Sequence, residues 1–129
     1  WGESKELRSG NYAAVIACGR TLEIALEAAD ILKAQGKDIR VIDMYSIKPI
    51  DKEAIIRAAK ETRGIVTIED HTVLGGLGGA VCAVVCENCP AKVLRLGLQD
   101  MFGRSGHMKS LYELYGITSA KIVEAVNSL

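Results

Sequence analysis

The sequence has no excess of charge of either sign and no long apolar run. Its 16 Lys and Arg residues balance its 16 Asp and Glu residues, so the net charge at pH 7 is zero. A balanced charge argues against a nucleic acid or an anionic membrane bound through bulk electrostatics. No apolar run approaches the roughly 20 residues that cross a bilayer, and the polar start WGESKELRSG is unlike a secretory signal. We therefore expect no nucleic acid and no membrane among the partners.

Cysteine and histidine are also scarce, with four and two residues among 129. Cysteines without a secretory context are typical of reduced thiols, which predicts a cytoplasmic location. The chain begins at Trp1 rather than Met, so we expect it to be a piece of a longer polypeptide. Its length and its 49% of hydrophobic residues fit one domain over residues 1–129, with residues 1–10 as a linker and edge strand.

Short apolar runs alternate with amphipathic segments along the chain. The runs predict strands at Ala13–Cys18, Ile39–Met44, Ile65–Ile68 and Val93–Leu98, with a further edge strand at Lys5–Arg8. The amphipathic segments predict helices at Leu22–Gln35, from the N-cap Asp51 to about Lys60, at Gly78–Glu87, at Lys109–Tyr115, and, capped by Thr118, at Ser119–Ser128. This alternation indicates an α/β fold, a three-layer α/β/α domain with a mostly parallel sheet.

The stretch GGLGGAVCAVVCENC, residues 75–89, poses the question of a metal site. Cys82, Cys86 and Cys89 have the C-x3-C-x2-C spacing that radical S-adenosylmethionine enzymes use for an iron–sulfur cluster. On a helix Cys82 and Cys86 share a face, but Cys89 lies at the helix end before Pro90. Radical S-adenosylmethionine enzymes also need a barrel much larger than 129 residues. A zinc site would need further ligands, since the chain has only two histidines. We favour packing, with the cysteines as small buried apolar residues, and expect no metal.

The glycines of the same stretch, Gly75, Gly76, Gly78 and Gly79, pose a second question. Exposed amides at a helix N-terminus can bind an anion. The dinucleotide fingerprint fails, because Val81 stands where its third glycine belongs, and no Lys-Ser or Lys-Thr follows as in a P-loop. We favour close packing of the helix start against a sheet or a neighbouring chain, with weak ligand contact as the open alternative.

Polar side chains follow two further segments. Glu69, Asp70 and His71 come just after a predicted strand, where open α/β sheets bind ligands. They could transfer protons, cap the glycine turn or form a network between subunits, and without a nearby nucleophile we favour the structural role.

The loop MFGRSGHMKS brings together Arg104, Ser105 and His107, which could bind a phosphate or lie on a mobile surface loop. Cys18 ends a buried strand and is expected to pack rather than react.

Three segments together resemble one enzyme family: VIDMYSIKPID, IVTIEDHTVLGGLGGAV and LGLQDMFGRSGHMKSLYELYGITSAKIVEAV. Their order and spacing are similar to those of the C-terminal domain of transketolase-type enzymes, over about residues 5–129. The resemblance is strongest to the C-terminal section of bacterial and archaeal split transketolases. Deoxyxylulose-phosphate synthase and the beta subunits of 2-oxoacid dehydrogenases are similar but more distant.

The resemblance implies a fold and a reaction. Transketolases move a two-carbon ketol unit between sugar phosphates, using thiamine diphosphate and a divalent cation, magnesium or calcium. They work as dimers, and the cofactor lies between a diphosphate-binding domain and a pyrimidine-binding domain. The C-terminal domain of the family has a five-stranded mixed sheet whose first strand is antiparallel, which matches the predicted edge strand at Lys5–Arg8.

The chain also departs from the complete family. It has no G-D-G motif with a downstream Asn, and the glutamate that activates the cofactor belongs to the absent pyrimidine-binding domain, so Glu69 does not inherit that role. Nothing here replaces the thiazolium as electron sink. We therefore expect no catalytic residue, no cofactor bound by this chain, and no activity when it is alone.

The expected role is assembly with the cofactor-binding domains or subunits and into a homodimer. The preferred interface candidates are the turn at Asp70 and His71 and the helix start at Gly75–Gly79. The alternative from another class is a regulatory module that holds a small anion in the crevice near Gly19 and Glu69–His71.

Overall fold

Five strands and four helices alternate along the chain in the computed structural model, which describes residues 2–72, 76–98 and 117–129. The strands are β1 (Lys5–Arg8), β2 (Ala14–Ala17), β3 (Arg40–Asp43), β4 (Ile65–Thr72) and β5 (Val93–Leu98). The helices are α1 (Thr21–Ala34), α2 (Lys52–Glu61), α3 (Leu77–Asn88) and α4 (Ser119–Asn127). The predicted helix at Lys109–Tyr115 lies outside the described residues.

The strands form a five-stranded mixed sheet in the order β1-β3-β2-β4-β5. β1 pairs antiparallel with β3, whereas β2 pairs parallel with both β3 and β4, and β4 pairs parallel with β5. The predicted sheet, with its antiparallel edge strand, is confirmed.

Both faces of the sheet are covered, which explains the continuous apolar run of β2. Ala13, Val15 and Ala17 face a core shared with α1 and α4. Ala14 and Ile16 face the other core, shared with α2 and α3. Since successive strand residues point to opposite faces, a strand covered on both sides favours apolar residues at every position. The three-layer α/β/α prediction is confirmed.

The fourth strand is longer than the prediction that ended it at Ile68. It continues to Thr72, because its pairing with β5 resumes at Thr72 and Leu98 after an irregularity beyond Ile68. Glu69, Asp70 and His71 therefore belong to the strand and do not follow it. The expectation that they lie just past its end is wrong by four residues, counted from Ile68 to Thr72.

Candidate functional site at the strand ends

The candidate crevice lies at the carboxyl end of β2, beside the middle of β4, where Ala17 pairs with Ile68. These strands are neighbours, but the chain leaves β2 for α1 on one face of the sheet and leaves β4 for α3 on the other. Such a divergence is where open α/β sheets usually bind ligands. The residues at this point are Cys18 and Gly19 after β2 and Glu69 and Asp70 within β4.

Glu69 is buried, with 1% of its surface exposed, and both of its carboxylate oxygens accept hydrogen bonds. Leu77 N–H donates to Oε1 at 2.8 Å, and Gly78 N–H donates to Oε2 at 2.7 Å. The first amides of a helix lack partners within the helix and carry a partial positive charge, so a carboxylate satisfies them well. The alternative that this residue caps the glycine turn is thus confirmed for Glu69. Its carboxylate fills the position that an external anion would otherwise take.

Gly78 allows α3 to approach the sheet closely. A Cβ atom at this position would lie 2.9 Å from Cδ of Arg95 and 3.0 Å from Oγ1 of Thr67. Arg95 and Thr67 are paired residues on β5 and β4. Close packing, the favoured interpretation of the glycines, is therefore confirmed at Gly78. Gly76 is the N-cap residue of α3 and Gly79 is half-buried in its first turn.

Thr21 ties the two strand ends together, a role that the sequence analysis missed. Its buried hydroxyl contacts the Cys18 carbonyl oxygen at 2.8 Å and the Ile68 carbonyl oxygen at 3.1 Å, and its single proton is donated to these two acceptors. The sequence feature that could have predicted this role is a threonine at the first helical position, directly after a strand and a glycine turn. A hydroxyl there often forms a hydrogen bond with a nearby backbone group.

Cys18 is an unreactive thiol at neutral pH. Burial first, and then the carboxylates of Glu69, Asp70 and Asp43 in that order, raise its pKa from 9.0 to about 11. Because the thiolate is the nucleophilic form, such a cysteine packs and does not attack, as predicted. The same three carboxylates oppose a small anion in this crevice, which weakens the regulatory alternative.

Cys82 and Cys86 are free thiols on α3, and Cys89 is the free thiol of its C-cap residue. The helix directs another set of residues inward: Leu77, Gly78, Val81, Val84 and Val85. Cys86 is exposed, and Cys82 and Cys89 are half-buried. The prediction that the cysteines are buried is therefore wrong for Cys86, because the valines, not the cysteines, occupy the sheet-facing side of the helix. In the described parts of the chain no group of three or more His, Cys, Asp or Glu residues could hold a metal ion.

Several of the predicted site residues are not among the described residues. The His71 side chain, Gly75, Arg104, Ser105 and His107 lie outside the described residues. The structure thus brings together Glu69, Asp70, Gly76 and Gly78 with Cys18 and Thr21. A role of these residues in an interface or in ligand binding stays a prediction.

A second cleft of about 230 Å³ lies at the β1 edge of the sheet. Its lining combines two guanidinium groups and two carboxylates with small residues: Ser4, Glu6, Arg40, Ile42, Asp51, Ala54 and Arg57. Arg40 is already paired with Glu6 and Glu61. Because the positive and negative side chains in this cleft are equal in number, its charge favours neither anionic nor cationic ligands. None of the helices within the described ranges is long and apolar enough to cross a membrane.

Comparison with known proteins gives a family and several relatives. The family described as "Transketolase, C-terminal domain" matches residues 2–122. The "6-deoxy-6-sulfo-D-fructose transketolase subunit" of Clostridium sp. is 38% identical over 99% of this chain and 40% of its own length. The "putative transketolase C-terminal section" of Methanocaldococcus jannaschii is 41% identical over 97% of this chain and 39% of its own length. The 1-deoxy-D-xylulose-5-phosphate synthase of Heliobacterium modesticaldum is 36% identical over 99% of this chain and 20% of its own length.

A solved structure agrees with these relatives. The chain superposes with a TM-score of 0.93 on a protein described as "Split gene transketolase, inactive beta4 tetramer", at 42% identity, covering 98% of this chain and 42% of that one. The chain thus spans about 40% of the length of the Clostridium and Methanocaldococcus relatives.

Proposed function

The chain belongs to the family of transketolase C-terminal domains, and on this premise we propose that it is the non-catalytic C-terminal part of a thiamine-diphosphate-dependent transketolase. The complete enzyme would transfer a two-carbon ketol unit between sugar phosphates. This chain would hold and assemble the domains that carry the cofactor and its magnesium or calcium ion.

The observation that carries the non-catalytic role is the state of Glu69. It is the buried carboxylate at the strand ends, and both of its oxygens accept amide hydrogen bonds from the start of α3. A general base needs a free oxygen within reach of substrate, and this carboxylate lies 1% exposed beneath a helix. The neighbouring Cys18 thiol, with its raised pKa of about 11, supplies no nucleophile.

We propose that thiamine diphosphate is bound by the other domains of the complete enzyme and not by this chain. When bound in such enzymes, thiamine diphosphate supplies the electron sink for the carbanion. Its diphosphate is held through a divalent cation, and among the described residues no cluster of acidic, histidine and cysteine side chains is suited to one. No step of the reaction is therefore assigned to this chain.

We propose further that the protein is cytoplasmic and that this domain associates with copies of itself and with the diphosphate- and pyrimidine-binding domains or subunits of the same transketolase. Two relatives support the association with other domains, since one is described as a transketolase subunit and the other as a C-terminal section, and this chain covers only 40% and 39% of their lengths. The related split-gene protein, which assembles as a beta4 tetramer, supports self-association.

Reconstitution tests the proposal. The purified chain with thiamine diphosphate, a magnesium or calcium salt, a ketose-phosphate donor and an aldose-phosphate acceptor should form no product. Adding a subunit that carries the two cofactor-binding domains should restore ketol transfer. A panel of donors that includes 6-deoxy-6-sulfo-D-fructose would identify the substrate class.

Two outcomes contradict the proposal. One is product formation by the chain alone, which would make it catalytic. The other is loss of activity in the reconstituted enzyme on Cys18→Ala, since that thiol is expected to play no part. Co-purification with an acyltransferase core instead of a thiamine-binding subunit would favour the dehydrogenase branch of the family.

A further inference from the structure

Three of the four cysteines lie close together at the end of α3, and the proposed function uses none of them. Cys86 lies in the last turn of the helix and is exposed, and Cys89 is the C-cap residue and is half-buried. Both are free thiols. Their spacing, Cys-Glu-Asn-Cys, is the C-x-x-C spacing of dithiols that interconvert with a disulfide.

The helix brings the backbones of Cys86 and Cys89 to a separation that a disulfide can span. The Cys89 N–H donates to the Val85 carbonyl oxygen at 3.0 Å, so the helical path continues as far as Cys89. Residues three apart on such a path have Cα atoms about 5 Å apart, and a disulfide needs about 4.4 to 6.8 Å between them. Their Cβ atoms are about 5 to 6 Å apart in a regular helix, whereas a disulfide needs roughly 3.5 to 4.5 Å. One of the two residues must therefore leave the helical dihedral angles.

Cys89 has this freedom and the other cysteines of α3 do not. Its dihedral angles, φ −152° and ψ 88°, already lie outside the helical region, and a segment without helix or strand begins at Pro90. Cys82 and Cys86 are four residues apart inside the helix, where a shift of either backbone would break hydrogen bonds of α3. Cys82 and Cys89 are about 10.5 Å apart along the helix axis, which is farther than a disulfide reaches. The geometry therefore selects one pair of the three.

We propose that Cys86 and Cys89 are a redox-active pair that small disulfides convert reversibly into an intramolecular disulfide. The thiolate of the exposed Cys86 attacks one sulfur of the small disulfide, whose S–S bond breaks and releases one small thiolate. The Cys89 thiolate then attacks the Cys86 sulfur of this mixed disulfide and displaces the second small thiolate. In total two protein thiols are oxidised, one small disulfide is reduced to two thiols, and the two protons of the cysteines pass to the released thiolates.

The resulting bond should be easy to reduce. It closes a ring of only four residues, so it removes little conformational freedom from the unfolded chain. Its Cys86 sulfur is accessible to reducing thiols, and exposed disulfides are typically the labile ones. The pair therefore responds to the balance of thiols and disulfides around the protein, and when oxidised it fixes the end of α3 where the chain turns towards β5. This chemistry is independent of the transketolase function proposed above.

Mass spectrometry of the oxidised full chain tests the pair. The reduced chain is incubated with an excess of oxidised glutathione, the remaining thiols are alkylated, and the protein is cleaved after Glu87, which lies between the two cysteines. With a bond between Cys86 and Cys89, the two fragments should stay joined until dithiothreitol is added. Cys82 should be alkylated before this reduction, and Cys86 and Cys89 only after it.

Serine variants provide the matched controls, with circular dichroism to show that each is folded. Cys89→Ser should retain glutathione on Cys86, because no second thiol in reach displaces it. Since the Cys89 thiol acts within the same molecule, loss of bound glutathione should be about tenfold or more slower in Cys89→Ser than in the wild type. Cys82→Ser should form the internal bond as the wild type does.

Three outcomes would overturn the proposal. They are a bond between Cys82 and Cys86, a wild-type chain that forms no internal disulfide, and loss of glutathione from Cys89→Ser at the wild-type rate. None of them bears on whether the chain completes a transketolase, which the reconstitution assay measures separately.

Discussion

The starts of α2 and α3 are held in different ways. At α2 the N-cap residue itself provides the acceptor, since Asp51 Oδ1 accepts from Ala54 N–H at 3.1 Å and Oδ2 accepts from Ser4 Oγ at 2.8 Å. At α3 the N-cap residue Gly76 has no side chain, and the acceptor is Glu69, eight and nine residues before the amides that it binds.

The difference decides what each cap stabilises. Asp51 is half-buried and serves mainly its own helix, in a position where water can replace a lost bond. Glu69 joins β4 directly to α3 in the buried interior, so it fixes the strand and the helix relative to each other. The site at the end of β2 therefore depends on the Glu69 carboxylate, which caps α3 from β4.

Glu69→Ala should have the largest effect. It leaves the Leu77 and Gly78 amides buried without an acceptor and opens a cavity, so we expect the free energy of unfolding to fall by about 3 to 5 kcal/mol. Glu69→Gln keeps the volume and one acceptor oxygen and should lose less. Urea denaturation with a global fit of both variants measures the difference. A loss no greater than that of Asp51→Ala would remove the distinction between the two caps.

Asp51→Ala should have an intermediate effect of about 1 to 2 kcal/mol, the usual loss for an N-cap carboxylate. Ser4→Ala is its matched control, because it removes one partner of Asp51 and leaves the helix cap intact. We expect the control to retain most of the stability in the same denaturation assay. Equal losses in the two variants would show that the bond to Ser4, and not the cap, is what matters at this end of α2.

The titration of Cys18 should give the smallest effect and the most direct view of the charge on Glu69. The folded pKa of this thiol is about 11, above its ordinary value of 9.0. The neutral thiol is therefore favoured in the folded protein, and its contribution to stability is complete below pH 9.0 and is lost as the pH rises towards 11. The rate of alkylation as a function of pH measures the folded value.

Glu69→Gln should lower the Cys18 pKa towards its ordinary value, because it removes the strongest of the carboxylate contributions and leaves the burial of the thiol in place. Cys18→Ala should abolish the corresponding alkaline loss of stability. An unchanged Cys18 pKa in folded Glu69→Gln would mean that burial, and not the Glu69 carboxylate, accounts for the raised value.

Features fixed by neighbouring residues were predicted well. Asp51 and Thr118 were identified as caps, and each accepts from the amide three residues later, at 3.1 and 3.2 Å. The edge strand at Lys5–Arg8 appears with the same bounds. Predictions failed where a distant partner decided the outcome, as with the end of β4, which its pairing with β5 extends to Thr72.

The sequence also did not predict which side of α3 faces the sheet. Valines and cysteines are mixed along this helix, so hydrophobic periodicity did not distinguish a buried side from an exposed side. The sheet contacts of Val81, Val84 and Val85 leave Cys86 outside.

The order of strands and helices, the local caps and the family could be predicted from the sequence, because these depend on residues a few positions apart or on motif order. The folded chain was needed to show that Glu69 holds α3, that Thr21 joins two strands and that the Cys18 thiol stays protonated. The last two depend on segments about 50 residues apart that the sheet brings together, whereas Glu69 and α3 are close in sequence and meet because β4 and α3 pack with the carboxylate buried between them.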